Sequence, residues 1–430
     1  MSLRFGTDGV RGVALTELTT DAVTSLAAAA DEVLGGGVWL IGRDPRRSSP
    51  DLAAAFANGV LHSVDIGMVP TPALAHLSAA RGLPAAMVTA SHNPWHDNGI
   101  KIFAAGGSKL DDDLQERIEA TWHGAPRVPM APSTSRDTAA VADYVEHLVA
   151  GQADLDGLRV VLDCANGAMS DVAPQVFRRL GADTVLIHAT PDGTNINERC
   201  GATHPASLAG AVVTHRANLG LAFDGDGDRV IAVDENGTVV DGDRLLALAA
   251  LRLRAHGRLR HDTVVVTVMS NLGFHRAMAG AGITVHTTAV GDRYVLEALE
   301  RGGFSLGGEQ SGHIIYRDLA STGDGLLAGL QLAEHVHAAH RPLSTLAGEV
   351  MATFPQVLVN VTVAERHPHI ADELADHIAA AERSLGGEGR VLLRPSGTEP
   401  LIRVMVEAAT DDLARRTADE LAAQVRERCS

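Results

Sequence analysis

Three stretches of the chain share one pattern, in which a run of apolar, β-branched residues ends abruptly at Gly, Asp or Asn and a helical pattern follows. They are GVWLIGRDPRRS from Gly37, LRVVLDCANGA from Leu158 and DTVVVTVMSNLG from Asp262. Continuous apolar runs that are bounded by turn residues and separated by helices are typical of buried parallel strands. The pattern therefore predicts an α/β protein with three related α/β domains and mixed sheets.

The last part of the chain, from about Phe354, has a different order of elements. A strand (QVLVNVTV), a helix at about 367–385, two strands (RVLLRPSG and LIRVMVEAA) and a helix at about 411–427 predict a small C-terminal α+β domain. Residues 122–140 are rich in Pro, Ala and Ser, so we expect a linker that crosses the surface there. The predicted domains are 1–138, 139–245, 246–355 and 356–430.

Length and charge narrow the class of protein. A chain of 430 residues is too long for one hydrophobic core, in agreement with several domains. Its net charge of -17 argues against non-specific binding to nucleic acid or to an anionic membrane, so an anionic ligand must meet a local basic pocket. The three cysteines have no zinc-type spacing, the N-terminus has no apolar signal segment, and no apolar run reaches the length of a membrane span. We expect a soluble cytoplasmic protein.

The stretch GLAFDGDGDRVIAVDENG, residues 220–237, is the clearest candidate for a metal site. Asp224, Asp226 and Asp228 alternate with glycines that permit a tight turn, and carboxylate oxygens suit Mg²⁺ or Ca²⁺. An EF-hand does not fit, because Arg229 stands where that loop needs glycine and both flanks have the pattern of strands. Three carboxylates leave coordination positions open, which favours a catalytic Mg²⁺ that touches a phosphate oxygen. A solvated Asp-Gly hairpin is the alternative.

Three further loops carry polar groups that suit a sugar phosphate. The turn RVLLRPSGTEPLIRV offers a guanidinium, hydroxyls and backbone N–H groups to a phosphate, unless it is an ordinary Pro-Ser-Gly turn. FGTDGVRG can bring Arg11 close to an anion. GGEQSGHII suits sugar hydroxyls, although an exposed loop has a similar composition. The candidate residues of the first and third loops are Arg394, Ser396, Gly397, Thr398, Glu309, Ser311 and His313.

Ser91 lies in the stretch VTASHNPWHDNGIK, which can be read as ordinary turn chemistry or as a reactive serine. The adjacent His92 is poorly placed to serve as the base of a hydrolase triad, and the chain has no G-x-S-x-G. A P-loop is also excluded, because neither Lys101 nor Lys109 follows the required glycine. The remaining hypothesis is a serine that carries a phosphoryl group, with Lys101 brought back towards it by the Asp-Asn-Gly turn.

The motifs FGTDGVRG, TASHNP, DGDGDR, GGEQSGH and RPSGTEP, in this order, resemble those of the α-D-phosphohexomutase superfamily. The resemblance runs from Arg4 to about Ala408. The stretches DCANGA, MSNLG, VGDRYVLE and RPSGTEPLIRVMVE are most similar to the bacterial members that act on glucosamine phosphate; members that act on mannose or glucose phosphate are the alternative. The resemblance implies a fold of four domains around a central cleft. It also implies that the protein is an enzyme, an intramolecular phosphotransferase.

The resemblance also implies a role for each candidate residue. Ser91 would be the phosphoserine, and one Mg²⁺ per chain would be bound by it together with Asp224, Asp226 and Asp228. The residues around the transferring group would be Arg11, His92, Lys101 as general acid or base, and Arg229 beside the metal loop. The sugar hydroxyls would meet Glu309 and Ser311, with His313 close by. The other phosphate would be bound by Arg394, Ser396, Gly397 and Thr398.

Further implications of the resemblance concern activation, assembly and the first domain. A hexose 1,6-bisphosphate or a separate kinase would phosphorylate the serine, and dimers are common among bacterial members. The last domain is expected to close over the ligand. Between GRDPRRSS and TASHNP the chain looks shorter than is usual in the family, so we expect a reduced helix-plus-strand unit there.

Overall fold

In the computed structural model, residues 3–6, 8–124, 126–365, 367–395 and 400–429 are described. They form four sheets with helices packed against them. The chain divides into two compact units. The first holds residues up to 269 together with 282–350 and contains three sheets; the second holds 270–281 together with the residues from 351 onward and contains the fourth sheet. The four sheets agree with the predicted α/β class.

The first sheet is mixed and has seven strands. They are β1 (Phe5–Gly6), β2 (Gly9–Val13), β3 (Val38–Arg43), β4 (His62–Met68), β5 (Ala85–Val88), β6 (Asp97–Phe103) and β7 (Ser133–Arg136), in the spatial order β1-β2-β6-β5-β3-β4-β7. Its helices are α1 (Thr20–Leu34), α2 (Ser49–Gly59), α3 (Thr71–Arg81) and α4 (Asp112–His123). Strand β3 is parallel to β4 and β5, whereas β6 is antiparallel to β2 and β5.

One expectation for this region is wrong and another is incomplete. The segment between GRDPRRSS and TASHNP is not reduced, because it forms the helix α2, the strand β4 and the helix α3. Ser, Asp and Gly interrupt the apolar pattern of that strand, HSVDIGM, so the pattern does not predict it. The described residues of the predicted linker at 122–140 are largely exposed, as expected, but they include an edge strand, since β7 pairs in parallel with β4. All four side chains of β7 are exposed, so the hydrophobic pattern carries no signal of this edge strand.

The second sheet positions the aspartate loop. Its strands are β8 (Arg159–Asp163), β9 (Asp183–Ile187), β10 (Leu219–Phe223), β11 (Val230–Asp234) and β12 (Val239–Val240), in the order β12-β11-β10-β8-β9. Its helices are α5 (Val141–Val149), α6 (Met169–Arg179) and α7 (Ala206–His215). Strands β10 and β11 are buried and antiparallel, with Phe223 opposite Val230. The residues between them form a hairpin loop, as the strand-like flanks predicted.

The third sheet has four strands, β13 (Thr263–Thr267), β14 (Thr284–Thr288), β15 (Leu306–Gly308) and β16 (Ile314–Tyr316), in the order β14-β13-β15-β16. Helices α8 (Gly242–Ala255), α9 (Leu272–Gly280), α10 (Asp292–Gly302), α11 (Gly325–Ala339) and α12 (Leu343–Val350) occur in this part of the chain. Strand β13 is parallel to β14 and β15, as predicted from its apolar run. Among the described helices of the chain, none combines the length and apolar character needed to cross a membrane.

The second unit contains α9 and a three-stranded antiparallel sheet. Its strands are β17 (Gln356–Thr362), β18 (Arg390–Pro395) and β19 (Leu401–Glu407), in the order β17-β19-β18, and its other helices are α13 (Ile370–Glu373), α14 (Ala375–Leu385) and α15 (Asp411–Arg428). The predicted α+β domain is confirmed. The helix expected at 367–385 is divided in two at Leu374, whose φ of -105° and ψ of 17° interrupt it.

Asp324 links α5 to the start of α11 and is expected to make stability depend on pH. Its carboxylate caps α11 by accepting from the backbone N–H of Leu327 (2.9 Å) and also accepts from the hydroxyl of Tyr144 (2.9 Å). Burial raises the pKa of Asp324 to about 6. Between about pH 4 and 6 the folded state keeps a proton that the unfolded state has released, so stability falls as pH rises through this window and levels off above it.

The Asp324→Asn variant should lack this dependence. Relative to the variant, the wild type should lose up to about 3 kcal/mol of unfolding free energy between pH 4 and pH 7. Urea unfolding at several pH values checks this, with the exposed Asp113→Asn as a control of equal charge change. Parallel pH profiles for wild type and Asp324→Asn would contradict the prediction.

Candidate active site

Ser91 follows strand β5 and is buried in the first unit, pointing at the aspartate loop. Its backbone has φ of +52°, a left-handed conformation that is uncommon outside glycine. Its hydroxyl donates to Oδ2 of Asp224 at 2.5 Å. Burial, followed by the neighbouring carboxylates of Asp228 and Asp226, raises the pKa of Asp224 well above its usual range. The structure thus brings the predicted phosphoserine and the predicted metal loop into direct contact.

The three aspartates of the loop converge on one point. Carboxylate oxygens of Asp224, Asp226 and Asp228 all lie within 4.8 Å of one another, and the three side chains are buried. Oδ1 of Asp226 and Oδ1 of Asp228 have no hydrogen-bond partner among the described residues. Buried anionic oxygens without a partner are costly unless a cation balances them. This donor set therefore fits a hard divalent cation.

Lys101, on β6, forms ion pairs with two carboxylates of this loop. Its Nζ lies 2.7 Å from Asp226 Oδ2 and 2.8 Å from Asp228 Oδ2, and it is almost completely buried. Burial alone would lower the pKa of Lys101, but the two carboxylates raise it well above its usual value. In this arrangement Lys101 is protonated at neutral pH, the form that neutralises charge or donates a proton.

His92 contacts the Ser91 hydroxyl, and Arg11 and Arg229 lie close enough to His92 for their charges to act on it. His92 Nδ1 lies 3.3 Å from Ser91 Oγ, and Arg11 Nη1 donates to Asn93 Oδ1 at 3.4 Å. Burial and then the positive charges of Arg229 and Arg11 lower the pKa of His92 to about 4, so the imidazole is neutral at physiological pH. The buried Nε atoms of Arg11 and Arg229 have no hydrogen-bond partner among the described groups. These two guanidinium groups can therefore bind an anion at Ser91.

The loop between β15 and β16 lies directly beside Arg229. The carbonyl of Gly312 accepts from the N–H of Val230 at 3.0 Å, and a Cβ at Gly312 would lie 2.1 Å from the Val230 carbonyl. Glu309 accepts from the N–H of Gly291 at 3.2 Å, and Ser311 is exposed. Glycine at position 312 thus allows the loop to approach the aspartate hairpin, with Glu309 and Ser311 at its tip.

His313 lies at the end of the same loop but is buried between two aspartates. Its Nδ1 is 3.7 Å from Asp228 Oδ1, and its Nε2 is 3.5 Å from Asp292 Oδ2. Burial alone would lower the pKa of His313, but the nearby carboxylates of Asp228 and Asp292 raise it. The structure therefore places His313 against the aspartate loop, where it can orient Asp228.

Part of the predicted phosphate loop is described, in the second unit. Arg394 lies on β18, opposite Arg403 of β19. Burial and the like charge of Arg403 lower the pKa of Arg394. Two adjacent guanidinium groups are a favourable setting for an anion. Ser396, Gly397 and Thr398 lie outside the described residues.

Sequence reasoning missed several polar residues of the first unit. Lys109 Nζ contacts Asp292 and lies 2.9 Å from Asp8 Oδ1, and these two carboxylates raise the pKa of Lys109 although burial opposes them. Asp8 also bonds Arg11. Thr71 donates to Asp226 Oδ2 at 2.6 Å. Asp8 and Asp292 stand inside the motifs FGTDGVRG and VGDRYVLE, which is the signal that could have found them; Thr71 has no such signal.

Comparison with known proteins gives consistent results. Four segments match the sequence models of the phosphoglucomutase/phosphomannomutase family, as its alpha/beta/alpha domains I, II and III and its C-terminal domain. The matched segments are residues 2–126, 142–237, 241–354 and 358–424, respectively.

Among individual proteins, the chain is 52% identical over 445 residues to a phosphoglucosamine mutase of Rhodococcus opacus, with 99% of each chain covered. Its structure is similar to that of a phosphoglucomutase/phosphomannomutase family protein of Burkholderia thailandensis, at a TM-score of 0.83 and 27% identity over 98% of this chain and 97% of the other. An Aspergillus fumigatus N-acetylphosphoglucosamine mutase, in complex with GlcNAc-6P and magnesium, has the same fold at a TM-score of 0.71 and 18% identity, with 100% and 96% covered.

Proposed function

The chain belongs to the phosphoglucomutase/phosphomannomutase family, and we propose on that basis that it interconverts glucosamine 6-phosphate and glucosamine 1-phosphate as an intramolecular phosphotransferase. The observation that carries the choice of sugar is the 52% identity, over nearly the full length of both chains, to a relative named phosphoglucosamine mutase. The chemistry is supported by the Ser91 hydroxyl, which lies 2.5 Å from a buried cluster of three carboxylates.

In this proposal Ser91 carries the phosphoryl group. A free hydroxyl of the sugar phosphate attacks phosphorus, the bond from phosphorus to Ser91 Oγ breaks, and a glucosamine 1,6-bisphosphate forms. The sugar hydroxyl releases its proton to solvent as the new bond forms, and Ser91 Oγ takes up a proton as it leaves. Protonated Lys101, 2.7 and 2.8 Å from two loop carboxylates, is the candidate for supplying that proton. The bisphosphate then turns over and returns its other phosphoryl group to Ser91.

The remaining residues bind and orient. Arg11 and Arg229 are proposed to bind the oxygens of the transferring group, because phosphoryl transfer depends mainly on positioning and on neutralising charge. Glu309 and Ser311 are proposed to bind sugar hydroxyls. Arg394 together with Ser396, Gly397 and Thr398 is proposed to bind the phosphate that is not transferred.

The divalent cation is proposed to be Mg²⁺, with Asp224, Asp226, Asp228 and the phosphorylated Ser91 as its ligands. Hard carboxylate oxygens are the donors that Mg²⁺ prefers. When bound there, Mg²⁺ supplies positive charge to the phosphoryl oxygens. This chain holds the three carboxylates together in a buried loop, and a bound cation would keep Asp224 ionised against the effect of burial.

Turnover on several sugars tests the proposal. Purified protein with Mg²⁺ and a catalytic amount of glucose 1,6-bisphosphate is assayed on glucosamine 6-phosphate, glucose 1-phosphate and mannose 1-phosphate. We expect a clear preference for the amino sugar. Preference for a neutral hexose would assign the chain to the alternative branch of the family with the same catalytic residues, and no turnover on any of them would overturn the proposed activity.

Activation, assembly and location remain parts of this proposal. A hexose 1,6-bisphosphate is the proposed activator, with a kinase as the alternative source of the first phosphoryl group. A homodimer and a cytoplasmic location complete it. Intact mass of the protein before and after incubation with glucose 1,6-bisphosphate tests the activation, and light scattering tests the dimer.

A further inference from the structure

Arg46, which follows strand β3, is fully buried beneath the loop that carries Ser91. Its Nη2 donates to the carbonyls of Ser91 (2.9 Å) and Asn93 (2.8 Å). Its Nη1 donates to the carbonyls of Asp97 (3.1 Å) and Pro94. One guanidinium group therefore binds four backbone carbonyls of a seven-residue loop, a use for which its planar set of donors is suited.

Asp44 fixes the guanidinium group and balances its charge. Arg46 Nε donates to Asp44 Oδ2 at 2.8 Å, and both side chains have no exposed surface. Asp44 also accepts from the hydroxyls of Ser49 and Thr89, each at 2.7 Å. The Thr89 hydroxyl in turn accepts from the N–H of Ser91 at 2.9 Å. The ion pair is thus fully hydrogen-bonded. It is connected to the carbonyl of Ser91 through Arg46 and to the N–H of Ser91 through Asp44 and Thr89.

Asn197, from the second domain, binds the same two carbonyls. Its Nδ2 donates to Ser91 O at 2.8 Å and to Asn93 O at 3.1 Å. The loop carbonyls of Ser91 and Asn93 therefore each accept from a guanidinium group of one domain and an amide of the next. Two donors on each carbonyl leave the carbonyl little freedom to turn.

This arrangement matters because the Ser91 backbone is strained. A left-handed conformation at a non-glycine residue costs of the order of 1 kcal/mol or more and persists only where its surroundings impose it. If the Ser91 carbonyl turned away, the hydroxyl would leave its position 2.5 Å from Asp224. A misplacement of about 1 Å at a reacting group can cost roughly 100-fold in rate.

We propose that Arg46 and Asn197 are positioning residues for phosphoryl transfer, which aim Ser91 at the metal loop by binding its carbonyl and that of Asn93. This inference rests on the proposed role of Ser91 as phosphoryl carrier. It goes beyond that role, because it states that two side chains that do not touch the reacting atoms hold the serine in its reactive position.

The Arg46→Lys variant tests the inference most directly. Lysine keeps the charge that faces Asp44 but has no planar fork, so it cannot bind the four carbonyls together. We expect transfer of a phosphoryl group from glucose 1,6-bisphosphate to Ser91, followed by intact mass, to slow about 100-fold. The kcat for mutase turnover should fall with it while KM stays nearly constant. Loss of folded protein would also lower the apparent kcat at constant KM, so the deciding readout is the first-order rate constant of the phosphoryl gain. Unfolded protein lowers the amplitude of that gain and leaves its rate constant unchanged.

Two other variants complete the design. Arg47→Lys makes the same change at the neighbouring, exposed arginine and should behave as wild type. Asn197→Ala removes one of the two donors from each carbonyl and should slow transfer about 10-fold. Urea unfolding establishes that each variant is folded under assay conditions. If Arg46→Lys does not fold, Asn197→Ala decides the question.

The outcomes separate this inference from the proposed function. Slower transfer with unchanged KM in folded Arg46→Lys, or in folded Asn197→Ala, supports positioning. Transfer within threefold of wild type in folded Arg46→Lys overturns it, as does full-rate transfer in Asn197→Ala when Arg46→Lys is unfolded. A wild-type protein whose Ser91 accepts no phosphoryl group would overturn the proposed function and the inference with it.

Discussion

Replacing Ser91 by alanine should lower mutase turnover by at least about 1,000-fold and leave the fold intact. The hydroxyl is the only oxygen of that side chain, and without it no phosphoryl group can be transferred to residue 91. The fold should tolerate the change because alanine fits the buried space and the donors to the Ser91 carbonyl bind the backbone, which the substitution keeps.

The measurement pairs turnover with intact mass after incubation with glucose 1,6-bisphosphate. Wild type should gain one phosphoryl group and Ser91→Ala none. Ser384→Ala, which removes an exposed hydroxyl that bonds only within its own helix, is the matched control. Near-normal activity in Ser91→Ala, or a full phosphoryl gain in that variant, would reject Ser91 as the carrier.

The strands around Ser91 could be predicted where burial of both faces requires a continuous apolar run in the sequence. Strands β3, β8 and β13 are continuous apolar runs because both of their faces are covered, and each is parallel to its neighbours as predicted. Strand β7 has no apolar run, because an exposed edge strand needs only backbone hydrogen bonds to its neighbour. The same difference explains why β4, with Ser63, Asp65 and Gly67 in it, was underestimated.

The candidate site was predictable as a set of motifs but not as a geometry. The alternation of Asp and Gly from 224 to 228 indicates a turn that gathers carboxylates, whatever the rest of the chain does. That Lys101 would bond two of these carboxylates depends on how β6 and the β10–β11 hairpin pack. Contacts between residues more than a hundred positions apart, such as Asn197 and Ser91, have no periodicity that a sequence pattern could reveal.

Replacing Asp226 by asparagine should abolish the metal site and reduce turnover more than about 100-fold. Asp226 contributes an unpartnered Oδ1 to the carboxylate cluster, and its Oδ2 bonds Thr71 and Lys101. Asparagine has nearly the same shape but no charge, and its amide group would face either the cation or the ammonium group of Lys101. Both orientations weaken cation binding. The removal of one of three crowded carboxylates also lessens their mutual repulsion, which favours the folded state when no cation is bound.

Thermal unfolding with and without Mg²⁺ gives a readout that does not depend on activity. A ligand that binds only the folded state raises the unfolding temperature, so wild type should unfold at a higher temperature with Mg²⁺ than without it. Asp226→Asn should unfold near the wild-type temperature in the absence of Mg²⁺ and show no increase in its presence. Asp171→Asn, an equal charge change at an exposed position of the same domain, should keep the full increase. An undiminished Mg²⁺ effect in Asp226→Asn would place the cation elsewhere.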